Sequence, residues 1–302
     1  MIAARSLNAY SRRGHQLIAR CARETDNPSP GATAFADWLA RIRPGLRTAT
    51  WLVYRAAACH LLDGHPGLDA PTAVAALRAL GAPTGPRPCR RTSARRAKAV
   101  APADLISLLT EVGQSRSIHG PALWDWLVAG ILTGLRPCEW SGATLTGKAL
   151  IVRNAKWRDG WRGLGEFRRL DLSTLAPVDF EAVARMIERA SRWLAEGDYG
   201  KHQQACSDLL RAVNIRLWPK RLRRITLYSP RHQFAANGKS GDPAELAATM
   251  GHLAERSAFR SYGKARDGWG AKAPPLPKMS ADAVAMVRRN GPGSRQRFSP
   301  SA

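Results

Sequence analysis

The chain has 302 residues, a length that suggests about two domains of ~150 residues each. It carries 47 Lys+Arg against 23 Asp+Glu, a formal net charge of +24, with an isoelectric point near 11.2. Hydrophobic residues make up 44% of the chain and charged residues 23%, ordinary values for a folded protein, so the charge is not that of a disordered basic tail and points to polyanionic partners, nucleic acid or an anionic membrane.

Residues 1–23 hold Arg5, Arg12, Arg13, Arg20 and Arg23 and no acid. Phe35, Trp38, Leu39 and Ile42 then recur at i, i+3, i+4 and i+7, one face of a helix, which Pro44-Gly45 interrupts. Further helices are expected at Thr48–Leu62 and Thr72–Leu80, the latter stopping at Gly81. Residues 81–100 are first Gly/Pro-rich, then Arg/Lys-rich, and no acid occurs between Asp69 and Asp104. They read as a linker rather than a packed element. It is either a solvated tether or a chain lying along phosphates, and the absence of acids favours the second.

Beyond residue 101, helices are expected at 102–112 and 120–133. The segments 149–153 and 166–173 read as two strands of a hairpin whose long tip is basic. Helices resume at 178–195, 201–217, 230–237, 243–250, 254–261 and 281–290. The fold class is therefore mainly α with a small antiparallel β-sheet. A small helical domain is expected at 1–82, a basic linker at 83–100, a larger domain at 101–278, and a C-terminal helix and flexible tail at 279–302; the resemblance described below implies that the first of these binds DNA.

The longest mostly apolar stretch, Ala122 to Leu135, includes Asp125 and falls short of the ~20 residues a bilayer span needs. The N-terminus lacks the apolar run of a secretion signal. Cys21, Cys59, Cys89, Cys138 and Cys206 form no CxxC pair, so neither a zinc site nor a disulfide framework is expected, and the thiols read as free in a reducing cytosol. Phosphate-loop, dinucleotide-binding and HExxH signatures are missing, and the seven histidines show no ligand spacing. No metal and no cofactor are expected; if the protein cuts or joins a phosphodiester, side chains stabilise the charge. The ten tryptophans read as core, with Trp157 and Trp161 on the hairpin as the exceptions.

Three segments stand out. In ILTGLRPCEW (131–140) an apolar helix ends at Thr133-Gly134 and delivers Arg136, followed by Pro137. In LYSPRHQFAANGKSG (227–241) Pro230 opens a helix with Arg231 in its first turn. In MGHLAERSAFRSYGKAR (250–266) Gly251-His252 is followed ten residues later by Tyr262. Taken in order, TGLRPCEW, YSPRHQFA, MGH and RSYGKAR resemble the tyrosine recombinase (phage integrase) family, over roughly residues 30 to 266.

The resemblance implies a helical core-binding domain ahead of a tyrosine-recombinase-like catalytic domain. It also implies a site-specific DNA recombinase or integrase that cleaves and rejoins duplex DNA through a 3′-phosphotyrosyl intermediate, without metal or ATP. Arg136 and Arg231 would grip the scissile phosphate. Lys156 would be the hairpin lysine, the general acid to the leaving 5′-oxygen. His252 would donate a hydrogen bond to the phosphate, and Tyr262 would be the nucleophile. Tyr228 stands where the family usually has His or Lys, and a phenol with a pKa near about 10 is a poor base at neutral pH. That departure motivates the alternative of a catalytically impaired DNA-binding relative; a structural RNA or chromatin binder would explain the charge but not the motif order. His232 reads as structural. Glu139, three residues after Arg136, reads as orienting that arginine or capping its own helix.

The remaining basic residues, including the run Arg216, Lys220, Arg221, Arg223 and Arg224 and the segment Arg288 to Arg297, would line a clamp around duplex DNA. The implied partners are double-stranded DNA and, in the synaptic complex, three further copies of the chain (a homotetramer, monomer or dimer when free), with no membrane. The helix at 281–290 would dock on a neighbouring subunit or on its own domain. The implied location is cytoplasmic and nucleoid-associated.

Overall fold

The computed structural model describes residues 4–64, 69–83, 96–157 and 164–290. Cys89, Arg158, Trp161, Arg162, Arg295, Arg297 and most of the expected linker lie outside the described residues. The chain divides into two compact units, Met1–Arg90 and Arg91–Ala302.

The first unit is helical: α1 (Ala4–Thr25), α2 (Ala32–Ile42), α3 (Thr48–Leu62) and α4 (Ala70–Ala79). Helix α1 covers the basic N-terminal segment, to which the sequence pattern assigns no bounded element. Its inward face is nonetheless helically spaced. Leu17 and Cys21, four apart, are buried in one cluster with Phe35, Trp38, Trp51 and Leu77, and α1 packs along α3. Glu24 fixes the junction of α1 with α2: one carboxylate oxygen accepts from Arg20 Nε at 2.7 Å, the other from Trp38 Nε1 at 3.0 Å.

The second unit opens with residues the sequence assigns to the linker, and here the structure corrects that reading. Ala97 N donates to Arg224 O at 2.9 Å. Val100 is fully buried, with its amide donating to Gln233 Oε1 at 2.8 Å and its carbonyl accepting from Trp269 Nε1 at 2.9 Å. Residues 96–100 are thus packed chain.

Helices α5 (Pro102–Gly113) and α6 (Gly120–Thr133) follow. Then come a three-stranded antiparallel sheet, β1 (Thr144–Thr146), β2 (Ala149–Arg153) and β3 (Phe167–Asp171), and helices α7 (Pro177–Ala195) and α8 (Tyr199–Leu217). Strand β1 is an addition to the expected hairpin; three residues are too few to carry a visible alternation. Register pairs Leu150 with Leu170 and Val152 with Arg168.

Helix α6 is apolar nearly all round and accordingly buried on most of its surface, as a central helix must be. It packs against α7 and α9 (Ser229–Gly238). Its one acid, Asp125, is buried but accepts from Arg185 Nε at 3.0 Å and Arg189 Nε at 3.1 Å. A second cluster, with Phe234, Leu246, Met250, Ala258, Tyr262 and Val287, joins α9 to α10 (Pro243–Thr249), α11 (Glu255–Ser261) and α12 (Ala281–Arg289). Helix α12 therefore packs on its own unit, and Arg288 Nη2 adds an ion pair to Asp242 at 2.6 Å.

Among the described residues no helix is long and apolar enough to cross a membrane, and no group of His, Cys, Asp or Glu is placed to hold a metal ion. Cys21, Cys59 and Cys206 are buried and Cys138 exposed, with no disulfide among the described residues. Trp38, Trp51, Trp126 and Trp140 are fully buried.

Candidate active site

Four chain breaks bring the site together. Helix α6 ends at Thr133, where Gly134 takes a left-handed conformation that satisfies the last turn. Two residues on, Arg136 caps a short 3₁₀ turn beginning at Pro137, and Glu139, third in that turn, reaches back to accept from Arg136 N at 2.9 Å. Helix α9 begins after Tyr228 with Pro230 in its first turn, which places Arg231 under the end of α6. The turn after α10 carries His252, and Tyr262 follows the end of α11.

Arg136 (4% exposed), Arg231 (0%), His252 (6%) and Tyr262 (7%) are all buried. Every guanidinium nitrogen of Arg231 donates: Nη1 to Gly134 O at 2.6 Å, Nη2 to Met250 O at 2.8 Å and to His252 Nε2 at 3.2 Å, and Nε to the Tyr262 hydroxyl at 3.1 Å. Arg136 Nη2 donates to the same His252 Nε2 at 3.2 Å. The Tyr262 hydroxyl lies 3.4 Å from His252 Nε2 and 3.2 Å from the Tyr228 hydroxyl. Of the six candidates, five converge. Lys156 is exposed in the turn after β2 and makes no hydrogen bond to the others, but its charge is felt at His252.

Two residues that sequence reasoning missed support this cluster from behind. Arg168 Nη2 donates to Glu139 Oε2 at 2.9 Å and Nε to Thr249 O at 3.0 Å, while Nη1 bonds Asn154 Oδ1. Asn154 in turn donates to Gly165 O at 2.8 Å, so the base of the hairpin is tied to the elements that carry the candidate residues. Gly251 takes φ +66°, and a Cβ there would overlap the Asn154 side chain; only glycine fits this turn. In Phe167-Arg168-Arg169-Leu170 alternate residues are buried, which puts Arg168 on the same inward face as Leu170.

Glu139 settles between the two sequence readings by doing both jobs. It caps Arg136 and pairs with Arg136, Arg168 and, at 3.6 Å, Arg231. Burial alone would raise its carboxyl pKa; Arg168, Arg231 and Arg136 outweigh that and hold it well below the carboxylate range. Burial works against the Arg136 charge, but Glu139 more than offsets it and the guanidinium is held more firmly protonated than usual. Three guanidiniums against one carboxylate leave two net positive charges in a desolvated pocket, where they act at low dielectric.

The neighbouring groups respond. Burial, then the charges of Arg231 and Arg136, press His252 far below its ordinary pKa, so its imidazole is neutral and Nε2 accepts from both arginines. Burial, then Lys98 and Arg96, lower His232 to about 4; its ring lies against those of Tyr228 and Tyr262, consistent with its structural reading. Burial would raise the Tyr262 phenol, yet Arg231 and Arg136 bring it down to about 8. Tyr228 goes the other way, pushed by burial to about 12. Of the two paired phenols, Tyr262 is the one that ionises first. No protein-family model matches the chain, and no curated protein matches it.

Proposed function

We propose that the chain is a site-specific DNA recombinase of the tyrosine type, cleaving and rejoining duplex DNA through Tyr262. In this reading the first unit is the helical core-binding domain and the second the catalytic domain. The protein works as a homotetramer on two duplexes, associated with the nucleoid. The observation that carries the reading is the Tyr262 hydroxyl held between Arg231 Nε and the Arg136–Arg231–His252 cluster in a buried pocket with surplus positive charge. That pocket favours an anion and lowers the cost of a phenolate. Arg136 Nε is in addition buried without a hydrogen-bond partner among the described residues, a donor that costs about 1–3 kcal/mol until something accepts from it. A phosphate oxygen would.

The chemistry follows from the groups present. The arginine N–H groups now shared by His252 and Tyr262 turn to the nonbridging oxygens of the scissile phosphate, and they stabilise the charge that builds there. Tyr262 loses its proton through the Tyr228 hydroxyl, which accepts one proton as it passes another to solvent and so needs no charge of its own. The phenolate oxygen bonds to phosphorus, the bond to the 5′-oxygen breaks, and that oxygen takes a proton from Lys156, the exposed cation beside the pocket. Energy of the broken ester is retained in the 3′-phosphotyrosyl bond, and reversal by a 5′-hydroxyl rejoins the strand.

A suicide duplex, nicked so that the short 5′-hydroxyl product diffuses away, is the test. Duplexes drawn from the DNA flanking the gene and from a randomised pool should yield an SDS-stable adduct whose peptide carries the nucleotide on Tyr262. If Tyr262→Phe traps as much DNA as the parent, the reading is wrong. One observation favours a second reading, DNA binding without turnover: Tyr228 with its raised pKa is no base. Salt-sensitive duplex binding with no adduct at any pH would select it.

A further inference from the structure

Helix α11 has seven residues, of which only Ala258 is buried, and Tyr262 stands in extended backbone just past its end (φ −115°, ψ −176°). So short and so thinly packed a helix holds its last carbonyls and the chain beyond them poorly by itself. What grips them comes from α9. Lys239, at the C-terminal cap of that helix, donates from Nζ to Phe259 O at 2.9 Å and to Gly263 O, and its ammonium lies 5.3 Å from the Phe259 ring centroid. One carbonyl is three residues before Tyr262, the other one residue after it.

Gly263 completes the grip. A Cβ there would stand 2.6 Å from His232 O and 2.7 Å from Lys98 O, so the backbone beside Tyr262 lies directly on α9 and on the packed 96–100 segment. Helix α9 thereby holds the nucleophile twice, Arg231 at the hydroxyl and Lys239 at the backbone. We infer that Lys239 is the positioning residue for Tyr262: bridging the Phe259 and Gly263 carbonyls, its ammonium holds the tyrosine over the arginines of its own chain. This rests on the reading of Tyr262 as the nucleophile. Burial lowers the Lys239 pKa, Asp267 opposes that and Lys98 adds to it; the half-buried ammonium has the two carbonyls on its protein side.

The test uses the full chain. Lys239→Met keeps the stem and removes the donors; Lys239→Arg keeps a cation. With the suicide duplex at saturation, Lys239→Met should form the Tyr262 adduct about 10- to 100-fold more slowly, with duplex affinity and Tm unchanged, and Lys239→Arg should recover most of the rate. The second readout needs no DNA. Absorbance at 295 nm should show the Tyr262 phenol titrating near 8 in the parent and moving up in Lys239→Met as the hydroxyl leaves the arginines. Adduct formation at the parent rate with the phenol unmoved overturns the inference, and so does a loss of rate that falls together with affinity and Tm. A parent that forms no adduct defeats the nucleophile reading instead, and the phenol titration then decides whether Lys239 holds the tyrosine.

Discussion

The inner and outer halves of the site are built on different plans. Inside, Glu139 gathers Arg136, Arg168 and Arg231, and the latter two are locked in turn to the carbonyls of Thr249, Gly134 and Met250. Outside, the backbone beside Tyr262 is held by one lysine and the fit of one glycine while its hydroxyl reaches Arg231, and Lys156 makes no hydrogen bond among the described residues. The contrast separates two tasks. On the proposed function, charge stabilisation needs cations held in place before the phosphate arrives; these residues are buried and share one carboxylate, with Arg136 Nε left as the spare donor. On the same proposal Tyr262 must reach a phosphate that the closed pocket does not yet admit, and the backbone on either side of it is secured by few contacts that can be released together.

The comparison is broken most severely at its inner pole. Glu139→Gln leaves three buried guanidiniums with no carboxylate, and removing one partner of a buried ionic cluster costs about 3–5 kcal/mol. Urea unfolding of the full chain should show a loss of that size, with no Tyr262 adduct even where the variant remains folded. A loss under ~1 kcal/mol would mean that the backbone carbonyls alone hold the arginines, and the inner half would not be a charge-built framework.

Acid attacks the same region by another route. His232 and His252 are buried neutral with pKa values below the ordinary histidine value, so the folded state binds fewer protons than the unfolded one. Their contribution to stability is therefore complete above about pH 6.5 and lost as pH falls toward the folded values. For His232, lowered to about 4, the loss approaches ~3 kcal/mol at the acid end. Tm measured from pH 7 to pH 4 should fall, and His232→Phe should flatten the curve. A flat parent curve would show that these rings find protons or water without unfolding.

How much of this was legible in the chain differs by region for physical reasons. Helix α2 (Ala32–Ile42) forms where Phe35, Trp38, Leu39 and Ile42 recur at helical spacing, with the first three buried, because local periodicity determines it. The approach of Arg136, Tyr228, Arg231, His252 and Tyr262 was anticipated from motif order, but nothing local reports that Val100 reaches Gln233 or that Lys239 reaches Gly263; those contacts depend on where helices cross. Arg168 was passed over because an arginine in a strand ordinarily faces water, and only its buried carboxylate partner reverses that preference.

At the outer pole the effects are smaller in stability and fall mainly on rate. Gly263→Ala forces a Cβ against two backbone oxygens that have little room to retreat. Overpacking of this kind costs about 1–3 kcal/mol. Because the displaced residue is next to Tyr262, adduct formation should fall about 100-fold while duplex affinity holds. An affinity loss equal to the rate loss would place the strain in the DNA-binding surface instead of the nucleophile.

The same distinction between partnered and unpartnered charge extends to the basic run before α9, where the effect is smallest. Arg216 is paired with Glu111, and Arg221 donates to both oxygens of Asp104 at 2.8 and 2.9 Å with its guanidinium 3.9 Å from the Trp218 ring centroid. These two brace the loop. Arg223 is exposed and has no ion pair among the described residues. Each phosphate a cation neutralises contributes about 0.9 to the slope of log K against log salt. Arg223→Gln should therefore lower that slope by about one phosphate's worth, and Arg216→Gln should leave it unchanged, both read from duplex binding between ~50 and ~200 mM salt. Equal slopes for the two variants would mean that an exposed ion pair does not withdraw an arginine from DNA, and that paired and unpaired charge on this surface are interchangeable.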